Sequence, residues 1–501
     1  MHLRRRLEFR LAVMLAGAFL AASSTSVSAA TTHWVNDNDP NGGRYAPPGR
    51  SCKDPGYATI QSAVDAAAPG DRINVCPGTY TEEVTVPPGK ANIVLRSVKL
   101  WAAVIKAPPV MLGLTKSIVR VNGARGVTIL AFTITGPGGE PCDSLRYGVR
   151  VDDGGSADVL GNHITQIHDT PFSDCPNGIA VQVGAEDDLT VGSARILGNA
   201  IDTYQRNGPR VSNDGSFAEI AHNRILGVGP TTVRPQNGVV VIGGATATVR
   251  HNFVAGNLFA AEDGRVSTGI LLFLSGQALV DHNTLSSNDI GVGMFEPAQG
   301  SSTTHNRVRA STFDGISLSP ATGHRVAFNK TERNGGSGVL LDNARGNEVD
   351  GNDVRRNGTE SGDDTTDGIR VTASSISNTL RNNHLKFNVT HDCHDDSAGP
   401  GTAGTANFWI DNHGQTSQPP GLCAADDQDG DDDGDDDRRD DGDDHRDHDD
   451  SWRTSNAAGW DTRDAWYFDS LPIGAADTAT LLQLAPRMSV GVGRRLFSPD
   501  E

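Results

Sequence analysis

The sequence predicts an all-β fold, a parallel β-helix whose short strands wind into a solenoid of about 10–12 coils. Three observations predict it. A glycine followed by alternating apolar residues recurs along residues 146–390, an asparagine recurs between these glycines, and one short amphipathic segment precedes the whole array. Repeats of this kind bury their apolar faces against their neighbours, so 501 residues need not mean several domains.

The first pattern is a glycine followed by apolar residues at every second position, as in Val149/Val151 and Ile179/Val181. Alternation at period two is typical of strands, and we expect glycine and asparagine to form the turns because they tolerate left-handed backbone angles. Each unit shows this alternation twice. The glycines are Gly148, Gly178, Gly208, Gly238, Gly269, Gly291, Gly315, Gly338 and Gly368.

The second pattern is an asparagine that comes once per unit, and the spacing is 23 residues between Asn283, Asn306, Asn329 and Asn352. Stacked coils lie about 4.8 Å apart, so these amides would form a ladder, each donating to and accepting from its neighbours. The full set is Asn162, Asn199, Asn223, Asn252, Asn283, Asn306, Asn329, Asn352 and Asn383. Leucine-rich repeats have similar lengths, but these units contain too few leucines for that fold.

The chain begins with a predicted secretory signal, residues 1–30, in which Arg4, Arg5 and Arg6 precede the apolar run 11–22. Residues 31–80 are predicted to hold an N-terminal strand and a capping helix, because Ile60 and Val64 fall on one helical face. Residues 81–390 form the coils, and 391–423 form a C-terminal cap closed by a disulfide. No later stretch is apolar enough for a transmembrane segment.

The entry to the array resembles the pectin-lyase-like superfamily. The resemblance rests on Ile60-Gln61, on Pro69-Gly70-Asp71 and on the run from Cys76 to Tyr80, together with the glycine and asparagine repeats. It implies a right-handed parallel β-helix over roughly residues 34–423. It implies no single activity, because that fold hosts lyases, hydrolases, epimerases, adhesins and a copper-loading accessory protein.

Cysteine content and charge indicate where the protein works. The six cysteines fall into three local couples, and we expect the disulfides Cys52–Cys76, Cys142–Cys175 and Cys393–Cys423, typical of a secreted or cell-envelope protein. The net charge is −19, and residues 426–450 alone hold sixteen Asp against three Arg. Such acidity argues against nucleic acid as a partner. We predict a disordered linker at 424–450 and assign no structure to 451–501.

The strongest candidate for catalysis is a mouth formed by the first regular coils. Arg150, Asp152 and Arg210 lie at outward positions, and His168 and Asp169 lie in a loop that the Cys142–Cys175 disulfide would fasten. Uronate lyases and epimerases need a base that removes a proton and a cation beside the substrate carboxylate. His168 is the candidate base, and Arg150 or Arg210 the candidate cation. A surface loop with scattered charges is the simpler interpretation.

Two sets of residues are candidate metal ligands. His222, His251, His282 and His305 each precede a ladder asparagine, so their imidazoles would stack one strand spacing apart and could bind a soft or borderline metal. Stacked turn residues without a metal are the alternative. In the acidic run, Asp429, Asp431, Asp433 and Asp440 have the spacing of a calcium loop, although any Asp-rich tract produces that spacing. Specific calcium binding is one interpretation of the run, and loose condensation of cations around it is the favoured alternative.

A third group of His and Asp residues, His391 to Asp396, lies in the predicted cap, where we favour a structural role with Trp409 plugging the last coil. The outward face of the middle coils is apolar, since Val240, Ile242, Leu271, Phe273 and Phe295 occupy outward positions. An exposed patch of this kind indicates a partner surface, a track on which sugar rings stack, or a site covered by a loop.

Together these features favour a secreted β-helix protein that binds an extracellular polysaccharide or a cell-surface partner. The alternative is a lyase, epimerase or hydrolase acting on a uronate-containing glycan, and a weaker alternative is a metal-delivery accessory protein. The oligomeric state does not follow from the sequence.

Overall fold

The computed structural model describes residues 29–37, 45–142, 144–186, 188–261, 263–358 and 366–425. The predicted signal segment, apart from its last two residues, lies outside the described residues. The same is true of the C-terminal segment from 426 onward, with the candidate calcium ligands Asp429, Asp431, Asp433 and Asp440.

The described chain is a right-handed parallel β-helix built from three long sheets, here called A, B and C, and each regular coil contributes one strand to each sheet in that order. The sequence predicted only two strands per unit. The glycine pattern marks the strands of sheet C, and the residues after each ladder asparagine mark those of sheet B. The strand of sheet A that lies between them is therefore the additional one.

Sheet A has 14 strands: Thr32–Val35, Arg72–Val75, Val94–Ser97, Val127–Leu130, Gly155–Leu160, Gly192–Leu197, Phe217–Ala221, Thr246–Arg250, Ala278–Asp281, Ser302–Thr304, Arg325–Ala327, Glu348–Asp350, Thr379–Arg381 and Phe408–Ile410. Sheet B has 12 strands: Gly78–Thr81, Ala103–Lys106, Thr133–Thr135, His163–Thr165, Ala200–Asp202, Arg224–Leu226, Phe253–Ala255, Thr284–Ser286, Arg307–Arg309, Lys330–Glu332, Asp353–Arg355 and His384–Lys386. Sheet C has 13 strands: Val84–Val86, Ser117–Asn122, Tyr147–Asp152, Ile179–Val183, Asn207–Ser212, Asn237–Ile242, Thr268–Phe273, Ile290–Phe295, Ile316–Leu318, Val339–Leu341, Ile369–Val371, Cys393–Asp395 and Ser417–Gln418.

Smaller elements complete the solenoid. Strands Gly49–Ser51 and Asp54–Pro55 pair antiparallel near the N-terminal end, and Ala321–Thr322 pairs with Ala344–Arg345 between two later coils. The capping helix spans Ile60–Ala66, begins after the N-cap Thr59 and buries its apolar face on the first coil. A 3-10 helix, Thr402–Gly404, lies near the other end. Among the described residues, no helix has the length and apolar character needed to cross a bilayer.

The core is one continuous apolar cluster that runs along the axis from Val35 to Leu422. It consists of the inward residues of all three sheets, mainly Val, Ile and Leu, stacked in register from coil to coil. Each coil thus covers the apolar face of the coil before it, which is why no single unit would be stable alone.

The asparagine ladder is confirmed and lies at the corner between sheets A and B. Asn306 shows its bonding: the backbone N–H and the Nδ2 atom both donate to Oδ1 of Asn329, at 2.9 and 3.0 Å, and Nδ2 also donates to the Val280 carbonyl at 3.0 Å. The ladder continues beyond Asn383 to Asn412. Because these amides are buried, each hydrogen bond satisfies a polar group that water cannot reach.

The other two corners carry ladders that the sequence did not reveal. One contains Asn257, Asn288, Asn334, Asn357 and Asn388 between sheets B and C, and the other contains Asn347, Asn378 and Asn407 between sheets C and A. Ser311 and His324 stand at the equivalent positions in coils that break the pattern. These interruptions, and the variable loops between sheets B and C, concealed both repeats.

The recurrent glycines serve a purpose different from the one predicted. Only Gly178 of the nine has a left-handed φ. The others lie where sheet C begins and successive coils touch. A Cβ on Gly269 would lie 2.7 Å from the Gly291 carbonyl oxygen and 2.7 Å from a methyl carbon of Leu285. Close backbone approach, and not turn geometry, therefore requires glycine at this corner.

The three expected disulfides are present: Cys52–Cys76, Cys142–Cys175 and Cys393–Cys423. Trp409 is buried in the last coil, and its indole Nε1 donates to Asp395 at 2.8 Å. The C-terminal end of the core is therefore covered by the segment that the sequence assigned to the cap.

Candidate functional site

The predicted histidines form a single stacked column, here called the imidazole column, at the corner between sheets A and B. Ring centroids are 5.0 Å apart for His222 and His251, 5.1 Å for His251 and His282, and 4.6 Å for His282 and His305. The ring of Phe328 extends the stack. The spacing follows the distance between neighbouring strands.

The backbone explains why the rings face outward. Each histidine directly precedes a ladder asparagine and adopts a left-handed φ, between 52° and 56°. This conformation turns the chain from sheet A into sheet B and directs the side chain away from the core, so all four rings are exposed. Histidine is one of the residue types that adopts this conformation more readily than most.

One carboxylate holds two rings of the column. Asp281 ends a strand of sheet A next to His282, and its register partner on the following coil is Thr304, the neighbour of His305. Nδ1 of His282 lies 2.8 Å from one carboxylate oxygen, and Nδ1 of His305 lies 3.1 Å from the other. The Thr304 hydroxyl donates to the same carboxylate at 2.7 Å.

These contacts determine the charge of the Asp281 carboxyl group. Burial opposes ionisation of Asp281, but the hydrogen bonds from His282, Thr304 and His305 lower the pKa of its carboxyl below the ordinary value. Burial, followed by the neighbouring His251 and Arg250, lowers the pKa of His222. The carboxylate is therefore an anion at neutral pH. A neutral imidazole that donates from Nδ1 keeps a lone pair at Nε2, the atom available to a metal.

The predicted mouth contains two sets of ion pairs. Asp152, fully buried, accepts hydrogen bonds from Nε of Arg120 at 3.0 Å and from Nε of Arg150 at 2.5 Å, and Arg150 also pairs with Asp188. Arg210 pairs with Glu186 at 2.5 Å. Gln182 stands between Arg150 and Arg210 in the register of sheet C. The catalytic role predicted for these arginines would require these pairs to open.

His168 and Asp169 organise the neighbouring loop. The carboxylate of Asp169 accepts hydrogen bonds from Ser173 Oγ at 2.6 Å and Ser144 Oγ at 2.9 Å. Despite burial, these bonds lower the pKa of the Asp169 carboxyl. Nδ1 of His168 donates to the Asp169 carbonyl at 2.7 Å, and its ring stacks on Phe172. The described contacts thus tie His168 to its own loop, and its role as a base stays a prediction.

The outward apolar residues do not form the exposed patch that the sequence suggested. Val240, Leu271 and Phe295 are only 3%, 5% and 4% exposed and form a second small cluster with Ile290. Ile242 and Phe273 pack against it and are partly buried. The ring of Phe295 lies over Gly293, where there is no side chain to exclude it. The cluster covers itself, which alternation alone cannot reveal.

Asp281 is the member of this group that sequence reasoning missed. The available signal was its position immediately before His282 in a strand whose alternation directs it outward. The interaction with His305 could not be read from the sequence, because it depends on the 23-residue coil between the two.

The fold and the site together describe a right-handed parallel β-helix protein that presents a row of histidine side chains along one exposed corner. Residues 193–413, which include the whole imidazole column, match the family described as "Periplasmic copper-binding protein (NosD)". Among curated proteins, no significant sequence match to this chain was found.

Several solved structures are similar to this chain. The periplasmic alginate epimerase AlgG is 11% identical, with a TM-score of 0.43, covering 72% of this chain and 83% of that chain. The catalytic unit of a GH87 α-1,3-glucanase from Streptomyces thermodiastaticus is 14% identical, with a TM-score of 0.47 and coverage of 72% and 66%. XylC in complex with xylose is 13% identical, with a TM-score of 0.47 and coverage of 81% and 88%. At identities this low, the similarity is one of fold alone.

Proposed function

We propose that this protein binds copper ions outside the cytoplasm, in the periplasm or beyond, and holds them at the imidazole column for transfer to a partner. The observation that carries the proposal is the pair His282 and His305, whose Nδ1 atoms are both fixed by Asp281. Imidazole suits copper, and metal-ligating histidines commonly donate their other ring nitrogen to a carboxylate.

Exposure of the pair supports exchange rather than permanent storage. The side chains of His282 and His305 are 49% and 47% exposed, so a bound ion would stay accessible to a partner. His251 and His222 continue the column at the same spacing and offer further ligands. The match of residues 193–413 to a copper-binding family gives independent support, and the three disulfides suit an oxidising compartment.

The test is a competition titration of the full chain with a chromophoric Cu(I) chelator, repeated with Cu(II). We expect binding that falls at least 100-fold when His222, His251, His282 and His305 are all replaced by Gln. His163→Gln is the matched control. His163 also bonds a carboxylate, at 2.9 Å from Asp202, but its ring lies tilted against Trp101 and not against another histidine. Equal copper affinity in all three proteins would reject the proposal.

Polysaccharide binding, with or without uronate lyase or epimerase activity, is the second candidate. A shallow groove of about 380 Å³ lies beside the loop of His168, lined by Lys106, Pro109, Pro137 and Gly138, and the Gly138 N–H donates to the His168 carbonyl. Binding and release of unsaturated products should be measured on pectate, alginate and hyaluronan. Product release lost in His168→Ala would establish a lyase, and absence of binding to every polymer would remove this candidate.

A further inference from the structure

We propose a second metal site, separate from the imidazole column, in which Asp367, His391 and His394 bind a zinc ion near the C-terminal cap. These three residues are here called the cap cluster. Asp367 lies just before the sheet C strand Ile369–Val371, and His394 lies in the next strand of that sheet, Cys393–Asp395. An ion here would tie two consecutive coils together beside the Cys393–Cys423 disulfide.

The donor atoms converge. Nδ1 of His391 lies 3.1 Å from one oxygen of Asp367, and Nδ1 of His394 lies 2.9 Å from the other. Two ligands bound at 2.0–2.1 Å in a tetrahedral zinc site are about 3.3 Å apart, so only small shifts are needed to admit the ion. The two rings are nearly perpendicular, at 81°, so they differ from the parallel rings of the imidazole column.

The environment is also different from that of the column. The Asp367 side chain is fully buried and His394 is mostly buried, whereas His391 borders solvent. One carboxylate oxygen and two imidazoles, partly closed from water, form a donor set of the kind found in zinc sites. The exposed column offers mainly nitrogen atoms. The two sites should therefore differ in metal preference and in rate of exchange.

Neighbouring charged residues hold the proposed ligands in place. Nε2 of His394 lies 3.0 Å from Asp396, and Arg370 donates to Asp367 at 3.0 Å and to Asp396 at 2.5 Å. Carboxylate contacts of this kind orient metal-binding histidines. Arg370 also approaches Nδ1 of His394, at 2.9 Å, and must give up that contact when the ion binds. Two carboxylates against one guanidinium leave a negative charge that favours a cation.

The test uses the full chain with the four column histidines replaced by Gln, so that zinc binding at the column neither adds to nor hides the result. After treatment with a chelator, Zn²⁺ is added and followed by calorimetric titration and thermal unfolding. We expect one zinc ion per chain and a rise in Tm, because binding to the folded state stabilises it. His391→Gln should lower zinc affinity at least 100-fold and abolish the rise.

Two variants separate the loss of a zinc ligand from a general loss of stability. His391 is partly exposed, so its substitution should preserve the fold, which the Tm of the zinc-free protein checks. His384→Gln is the control, since His384 stacks on His413 outside the cap cluster. No zinc binding in the four-Gln protein, or a Tm rise that survives His391→Gln, would show that the cap cluster is only a network of ion pairs. Either result leaves the copper proposal untouched.

Discussion

Nδ1 of His282 lies 2.8 Å from the carboxylate of Asp281, and that same carboxylate reaches across one coil to His305. Asp281 therefore fixes which nitrogen of each ring can bind a metal. We expect Asp281→Asn to lower copper affinity about 10- to 100-fold, the usual effect of removing such a partner. A chelator competition titration measures this. Asp202→Asn, which removes the carboxylate beside His163, should have no effect. Unchanged affinity in Asp281→Asn would show that the carboxylate plays no part.

The ladder at the corner between sheets A and B should be a main source of stability. Asn306→Ala would leave the buried N–H of Asn283 without its acceptor at 2.9 Å and would remove two further bonds to carbonyl groups. At about 1–3 kcal/mol for each unsatisfied group, the expected loss of unfolding free energy is about 3 kcal/mol or more. Urea denaturation followed by circular dichroism measures it. The exposed Asn343→Ala removes no buried hydrogen bond and should cost only about 1 kcal/mol, because alanine tolerates the φ of 50° at this position less well than asparagine does.

The glycines at the start of sheet C should not tolerate even the smallest substitution, which is alanine. A methyl group on Gly269 would meet the Gly291 carbonyl oxygen at 2.7 Å, so the coils must separate. We expect Gly269→Ala to destabilise the protein by about 2–3 kcal/mol, the upper part of the usual range of about 1–3 kcal/mol for overpacking. Gly264→Ala is the comparison: its methyl group would have no neighbour within 4 Å, and only its φ of 82° adds a cost of about 1 kcal/mol. Equal losses in the two variants would contradict the steric explanation.

His324 should make stability depend on pH. It is buried at the corner between sheets C and A, and burial lowers the pKa of its imidazole from 6.5 to about 4. The folded protein thus binds this proton less readily than the unfolded chain, and stability falls as the pH drops from 6.5 towards 4. The full difference corresponds to about 3 kcal/mol. His324→Asn, which places the ladder residue of later coils at this position, should lose less stability than the wild type between pH 7 and pH 4.5.

The measurement for this prediction is the denaturant midpoint of both proteins at the two pH values. Buried carboxylates affect both proteins alike, so the difference between them isolates His324. Neither ring nitrogen of His324 finds a hydrogen-bond partner among the described residues, so no such bond offsets the burial that favours the neutral form. If wild type and His324→Asn lose equal stability in acid, water reaches the imidazole in the folded protein and its pKa is not lowered. The prediction would then be wrong.

The sequence predicted what local repetition encodes and missed what depends on contacts between distant residues. The asparagine ladder that contains Asn306 and the stacked rings of His282 and His305 follow from the repeat spacing, because the distance between neighbouring strands is enough to place them. The two other ladders were missed because Ser311 and His324 interrupt them. The burial of Leu271 and Phe295 was missed because alternation shows which side a residue faces, and not what covers it. The pairing of Arg150 with Asp188 likewise depends on a loop whose path no period describes.

The position before each ladder asparagine has one backbone conformation and many occupants. Gly161 and Gly198 precede the histidines, and Phe328, Gly351 and Asn382 follow them, all with positive φ. The buried amide fixes the main chain, so the side chain beside it can vary without disturbing the coil. This corner can therefore carry one functional side chain per coil, with an almost constant distance between successive side chains. Longer or shorter rows of identical ligands need only substitutions at this position, with no change of fold.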